Sequence, residues 1–313
     1  EKIIIVVWKG VLRMDQKLTG KTIAQLRKNA GLTQASLAKK LGISDKAISK
    51  WERGIACPDV SLWNKLSIIL NTDIENLIYG HTGESKWKGC LILDESIPAN
   101  TTVYNKPLIH YLISQFLLVG ITNITIVGKC EEIKFPGVEI NVCNHINHRF
   151  SENTFVIYGN NYIYGPNLTR HIKRAMSRDG ITILTSIKND GKYSVEIDGD
   201  RKAKLTNKMF KDQYFAEPYV FYGKGSELKN SIEEVLSGEC NAETLSRGMF
   251  CIELDSYDKI LDFSEYIKIM ENLTSEKIAC IEEIIIRRGI AMYEDVEKIS
   301  NEGMKTYLKK LQD

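Results

Sequence analysis

Residues 31–54 read GLTQASLAKKLGISDKAISKWERG. Thr33 and Ser44 each stand just before an apolar-periodic run, where a short hydroxyl side chain caps a helix N-terminus. Leu37, Ala38 and Leu41 recur at helical spacing after the first cap, and Ala47, Ile48 and Trp51 after the second. Gly42 between them supplies the turn, and the small Ala38 lets the two helices approach closely. Asp45, Lys46, Ser49 and Lys50 fall on the opposite face of the second helix. A short capped helix with a polar outward face, propped on a second helix, is shaped to enter the DNA major groove.

The same pattern extends on both sides. Residues 21–29 predict a helix with Ile23, Leu26 and Ala30 on one face and Gly31 as its stop. Pro58 and Asp59 open a fourth helix over 60–70, and Asp73 opens a short fifth that ends at 79–80. This five-helix run resembles the Xre family, the phage-repressor-like helix-turn-helix, over residues 22–80. The motifs are L-T-Q-x-x-L-A at 32–38, L-G-I-S at 41–44 and I-S-x-W-E-R-G at 48–54. The resemblance implies that Gln34 bonds a DNA phosphate. It also implies that the third helix presents Ser44, Asp45, Lys46, Ser49 and Lys50 to base edges, with lysine donating to guanine and Asp45 accepting from cytosine N4. No Asn, Gln or Arg stands on that face, so sequence preference is expected to lean on DNA shape and on a second protomer. The alternative is a five-helix protein-binding module with a solvated polar face.

Charge agrees with the first reading. Residues 14–80 carry a net charge of +4 and residues 1–13 a net +2, which leaves −4 for the rest of a chain whose total is +2. The basic excess accompanies the helix-turn-helix, as phosphate attraction requires, but it is small enough that a monomer should bind weakly. Seven scattered cysteines without a C-x-x-C pair suit a reducing, cytoplasmic setting rather than a disulfide framework. Residues 3–8 are too short an apolar run to span a membrane. Residues 1–13 are expected to be a leader from a misassigned start at which Met14 is the true first residue; a short ordered strand is the alternative.

A chain of 313 residues suggests about two domains, and the pattern changes after a polar linker at 81–87. Strands are predicted at 89–93, 123–127, 154–158 and 181–187, alternating with helices at 108–119 and 168–177. The expected fold is an all-α helix-turn-helix domain (14–80) followed by an α/β domain (88–313) with a mostly parallel, Rossmann-like sheet whose ligands sit at the C-terminal strand ends.

Residues 88–127 (KGCLIL, then VYNKPLIHYLISQFLLVGITNITIV), 155–168 (FVIYGNNYIYGPNL) and 247–311 (from RGMFCIEL) resemble sugar-1-phosphate nucleotidyltransferases, glucose-1-phosphate thymidylyltransferases above all. That resemblance implies nucleotidyl transfer from dTTP, with a glycine-rich phosphate loop and acidic residues on Mg²⁺. Several of those parts are missing. The family's G-G-x-G-T-R is replaced by Asp94-Glu95-Ser96-Ile97-Pro98. The metal-binding aspartate of G-D-N is Asn160, the second one aligns with Glu253, and the base-reading segment is largely absent around 142–151. The K-P-[ML]-I motif persists from Lys106 to Ile109. No catalytic residue, metal site or cofactor is therefore expected. The family's second, regulatory nucleotide site maps to Leu118, Tyr164, Gly165, Glu282, Glu283 and Arg287; Pro166 stands where the family often has His. Glu283 and Arg287 share a helix face, so carboxylate and guanidinium can meet a thymine N–H and a phosphate. An ordinary i,i+4 salt bridge is the competing reading.

Two minor constellations remain. Cys143, His145 and His148 have zinc-ligand types without a fourth member. Arg170, Lys173, Arg174 and Arg178 stand at helical spacing, as a solvated face or an extended DNA path. The sequence thus describes a DNA-binding transcriptional regulator with a degenerate nucleotidyltransferase-like domain. The expected partners are double-stranded DNA, further copies of the chain, and a nucleotide sugar or dTTP as effector, with no membrane. The alternatives are an active nucleotidyltransferase with a DNA-binding domain, and a second domain that only dimerises.

Overall fold

The computed structural model describes residues 4–7, 10–13, 16–70, 72, 74–79, 87–145, 153–188, 191–206 and 213–310. The chain forms two compact units: residues 1–85 with 135–138 and 281–313, and residues 86–134 with 139–280. Within the stretch set aside as a leader, β1 (Ile4–Val7) and β2 (Gly10–Arg13) pair as an antiparallel hairpin.

The helices of the first unit follow the sequence pattern closely. They are α1 (Gln16–Asn29), α2 (Gln34–Leu41), α3 (Asp45–Glu52), α4 (Trp63–Ile69) and α5 (Ile74–Tyr79). Thr33 Oγ1 accepts from the Ser36 amide at 3.0 Å and Ser44 Oγ from the Ala47 amide at 3.3 Å, so both N-caps form. Gly42 takes the left-handed conformation at φ 73°. The predicted fourth helix opens with a 3₁₀ turn at Val60–Leu62, capped by Asp59; Asp73 lies outside the described residues.

Helix α1 begins five residues before its predicted start at 21. Gly20 reads as a helix breaker but serves here as a point of close approach, because a Cβ on it would lie 2.0 Å from the Trp51 carbonyl oxygen. Ile23, Leu26, Leu37, Leu41, Ile48, Trp51, Trp63, Leu66 and Leu77 form one buried core. Each such side chain contributes about 1.5–3 kcal/mol on burial.

The second unit contains β3 (Lys88–Ile92), β4 (Thr102–Val103), β5 (Lys106–Pro107), α6 (Leu108–Leu117), β6 (Asn123–Val127), β7 (Glu139–Cys143), β8 (Thr154–Tyr158), β9 (Asn161–Tyr164) and α7 (Leu168–Met176). It continues with β10 (Ile181–Ile187), β11 (Ser194–Ile197), β12 (Lys202–Leu205), β13 (Tyr214–Tyr222), α8 (Ile232–Ser237), β14 (Cys240–Thr244), β15 (Phe250–Glu253) and α9 (Tyr257–Thr274). Strands β8, β3, β6 and β7 run parallel in that order. Helix α6 is buried along its whole length, as its nearly unbroken apolar sequence requires.

The sheet is not mostly parallel, which corrects the Rossmann-like expectation. Its order is β10-β14-β12-β11-β13-β8-β3-β6-β7, and β10 also pairs with β13, so five strands close into a small barrel. Strand β13 is antiparallel to both β8 and β10. The cause is local. Asp198 turns the chain at Asp198-Gly199-Asp200 and accepts from the Asp200 and Lys202 amides, which makes β11 and β12 a hairpin. Strands joined by so tight a turn must run antiparallel.

Past α9 the chain rejoins the first unit as α10 (Ile281–Arg287), α11 (Tyr293–Ile299) and α12 (Glu302–Lys310). The expected second domain ran unbroken to the last residue; the tertiary contacts instead group 281–313 with the helix-turn-helix. Asn29, 3% exposed, is the join. Its Nδ2 donates to the Ile286 and Ala291 carbonyls at 3.2 and 3.0 Å, and its Oδ1 accepts from the Tyr293 amide at 3.3 Å. Gln25 adds a bond to the Gly289 carbonyl, and Asn76 one to that of Arg288.

Candidate DNA interface and ligand site

Helix α3 presents the expected outward face. Ser44, Asp45, Lys46 and Lys50 are exposed and Ser49 is half-buried, while Ile48 and Trp51 point into the core. Asp45 Oδ1 accepts from the Lys46 amide at 2.7 Å, so its carboxylate also helps to start the helix. Arg53 stands exposed at the end of α3, its Nε on the Ser49 carbonyl, and extends the basic surface beyond the residues expected from sequence.

Behind this face lies a cluster that the sequence reading missed. Arg27 on α1 pairs with Glu52 on α3 through Nε–Oε1 at 2.5 Å and Nη2–Oε2 at 3.1 Å, and its Nη1 donates to the Leu32 carbonyl at 2.6 Å. Gln34 donates from Nε2 to Glu52 at 2.7 Å. One of the two amide hydrogens expected at a DNA phosphate is therefore used within the protein, and it ties the start of α2 to the end of α3. The available signal was a pair of charged residues standing among core positions.

The positions of the family's regulatory site divide between the units. In the second unit, Leu118 ends α6 and is half-buried. The Tyr164 ring packs at 6.0 Å from Phe250 and 5.8 Å from Tyr266, and burial raises its phenol pKa. Gly165 has φ 145°, with Met249 against it. Lys106 donates to the Ile278 carbonyl, lies 3.8 Å from Glu271, and stands over the Tyr111 ring at 5.2 Å. In the first unit, Arg287 meets Glu283 Oε1 at 2.6 Å and the Tyr307 hydroxyl donates to Oε2 at 2.5 Å. The i,i+4 salt bridge thus forms, and both oxygens of Glu283 are engaged. Glu282 is half-buried beside it.

The positions of the family's catalytic parts lie in the second unit. Asn160 is 1% exposed. Its Nδ2 donates to the Asp94 and Ile97 carbonyls at 3.1 and 3.4 Å, and its Oδ1 accepts from the Asp94 amide at 3.3 Å. The 94–97 loop is thereby laced to Asn160. Glu253, at the end of β15, is 4.0 Å from Lys259 on α9. Among the described residues no group of three or more His, Cys, Asp or Glu side chains could hold a metal ion. Cys143 donates to the His145 carbonyl, and His148 lies outside the described residues. Burial pushes the Cys90 thiol up to about 12 and that of Cys240 up to about 11. None of the seven cysteines is paired in a disulfide. In the basic run of α7 and the turn after it, Arg170 and Arg174 are exposed, Arg174 lies 3.8 Å from Glu243, and Arg178, just past the helix, meets Glu243 at 2.8 Å. No described helix is long and apolar enough to cross a membrane.

The helix-turn-helix family model HTH_3 matches residues 23–77. The glucose-1-phosphate thymidylyltransferase of Neisseria meningitidis is 21% identical over 243 residues, 63% of this chain and 84% of that protein. The Mycolicibacterium smegmatis enzyme of the same name is 25% identical over 231 residues, 60% of this chain and 80% of that one. Among solved structures, a Bacillus anthracis protein assigned as a glucose-1-phosphate thymidylyltransferase, in complex with sucrose, matches 57% of this chain and 94% of its own, at 12% identity and a TM-score of 0.42. The DNA-binding domain of the P22 c2 repressor matches 21% of this chain and 88% of its own, at 36% identity and a TM-score of 0.20. The chain therefore carries a helix-turn-helix domain of the HTH_3 family at residues 23–77 and, C-terminal to it, a region similar to the glucose-1-phosphate thymidylyltransferases.

Proposed function

We propose that this chain is a transcriptional regulator that reads DNA through α3 and has given up nucleotidyl transfer in its second unit. That unit then serves to assemble copies of the chain and to sense a nucleotide sugar or dTTP. The observation that carries the loss of catalysis is the amide of Asn160. A metal-binding aspartate offers only acceptors, whereas Asn160 donates to two backbone carbonyls, that of Ile97 buried and that of Asp94 half-buried. A carboxylate there would face those oxygens unpaired, and Mg²⁺ requires oxygen ligands free to turn toward it. Glu253 lies 4.0 Å from the ammonium of Lys259. The residues present do not fit the metal.

Regulation would work by linkage. An effector that binds one arrangement of the assembled chains better than another shifts their population, and with it the spacing of two reading helices. Those helices must stand about 34 Å apart to reach successive major grooves. Docking of α10–α12 against α1 supports this route, because Glu283 and Arg287 belong to the same compact unit as the reading helix. The full-length protein incubated with dTTP, glucose-1-phosphate and Mg²⁺ is expected to release no pyrophosphate; turnover that disappears in Glu253→Gln would overturn the reading. A thermal-shift series with dTTP and dTDP-sugars is expected to raise the melting temperature, since a ligand at 100 times its Kd adds about 2.7 kcal/mol. A flat response would leave the second unit as an assembly module only.

A further inference from the structure

Helix α7 and strand β14 bring together a relay that neither DNA reading nor nucleotide sensing uses. His171 is 5% exposed and Glu243 2% exposed. His171 Nδ1 lies 2.9 Å from Glu243 Oε1, and Nε2 lies 2.8 Å from the hydroxyl of Ser246, which is exposed just past the end of β14. The partners assign the tautomer. An ionised carboxylate only accepts, so Nδ1 carries the hydrogen and Nε2 presents its lone pair to the serine hydroxyl. The other carboxylate oxygen is held by Arg178 at 2.8 Å, whose Nη1 also donates to the Ala242 carbonyl at 2.7 Å. Arg178 thus occupies one oxygen of Glu243 while His171 bridges the other to the serine hydroxyl.

We propose that Ser246, His171 and Glu243 form an acyl-transfer site for small esters that carry an anionic acyl group. A carboxylate, an imidazole and a hydroxyl in this order make a serine nucleophilic, and the constellation is recognised by geometry rather than by fold. In the first step Ser246 Oγ attacks the ester carbonyl carbon while its proton passes to His171 Nε2, and the carbonyl π pair moves onto oxygen. Collapse of that adduct breaks the ester C–O bond, and the leaving alkoxide takes the proton from Nε2. Water then attacks the acyl-serine and gives a proton to Nε2, which returns it to Ser246 as the acid departs. After Ser246 the chain turns through Gly248 at φ 84°, and the Arg247 and Gly248 amides donate in no backbone hydrogen bond of the described residues. Amides in this place, directly after the nucleophile, are those that receive an oxyanion. Arg174, exposed and 3.8 Å from Glu243, sets positive charge beside the relay and favours an anionic acyl group.

The test uses the full-length protein with a tagged fluorophosphonate, in which serine displaces fluoride from phosphorus. Peptide mass spectrometry is expected to place the tag on Ser246, with no tag there in Ser246→Ala. His171→Gln is expected to slow tagging by about 10²–10⁴-fold, the range of a positioned general base. With p-nitrophenyl esters, the succinate half-ester is expected to turn over faster than the acetate, and Arg174→Gln to erase that preference. Tagging of Ser246 no faster than in heat-unfolded protein, or ester turnover retained in Ser246→Ala, would overturn the proposal. Ser246 is exposed, so the alanine variant is expected to fold and to bind DNA as the parent does. That readout keeps a failure here separate from a failure of the regulatory reading.

Discussion

Asn160 uses both atoms of its amide within the protein. Its amide satisfies two carbonyls, one of them buried, and one amide of the 94–97 loop. Asn160→Asp replaces a donor by an acceptor and leaves those groups facing a carboxylate. A buried polar group left unpaired costs about 1–3 kcal/mol, so a urea melt of the variant is expected to show a loss of that size. Mg²⁺ is not expected to restore it; full recovery with the metal would revive the enzymatic reading. The substitution itself was legible in the sequence as an amide in the place of an acid. Its reason was not, because the three backbone partners lie 63 to 66 residues away.

At the scale of elements, α2 and α3 were legible almost to the residue. Their caps, turn and core positions are all set within a single stretch, where local geometry decides. Replacing Asp45, Lys46 and Lys50 together by Ala removes only exposed groups. The fold is expected to persist while operator binding in a gel shift is lost, and each removed lysine that met a phosphate should flatten the salt dependence by about one unit. The barrel strands were less legible. Residues 194–222 carry a hairpin turn signal at Asp198-Gly199, but closure of β10 on β13 joins residues 27 to 41 apart. Asn29 is the element-scale surprise. A polar side chain on α1 reads as an ordinary helix surface position, yet it is buried against the backbone of 286–293. Asn29→Ala is expected to cost about 1–3 kcal/mol or more in a thermal or urea melt, since it strands buried backbone groups. Faster proteolytic cleavage around 286–293 should accompany that loss, and unchanged protection would show that Asn29 does not hold the tail.

For the whole molecule, the small basic excess and a reading face without Arg, Asn or Gln call for more than one copy on DNA. Binding is expected to be steep in protein concentration and to weaken sharply between 50 and 200 mM salt, as read by fluorescence anisotropy on operator DNA. A shallow isotherm with one protomer per site in ultracentrifugation would contradict this. The sequence by itself determined the helix-turn-helix, its caps, the face that α3 turns outward, and the alternation of strands and helices that follows. Each of these rests on periodicity or on residue type within a short window, where a few neighbours fix the outcome. Only the tertiary structure decided that the sheet is mixed and closes into a barrel, that residues 281–313 join the DNA-binding unit, and that His171, Glu243 and Ser246 form a relay. Those depend on contacts between residues from 27 to 262 positions apart. Burial, not sequence proximity, selects the partners there, because every buried donor and acceptor must find one wherever the chain brings it.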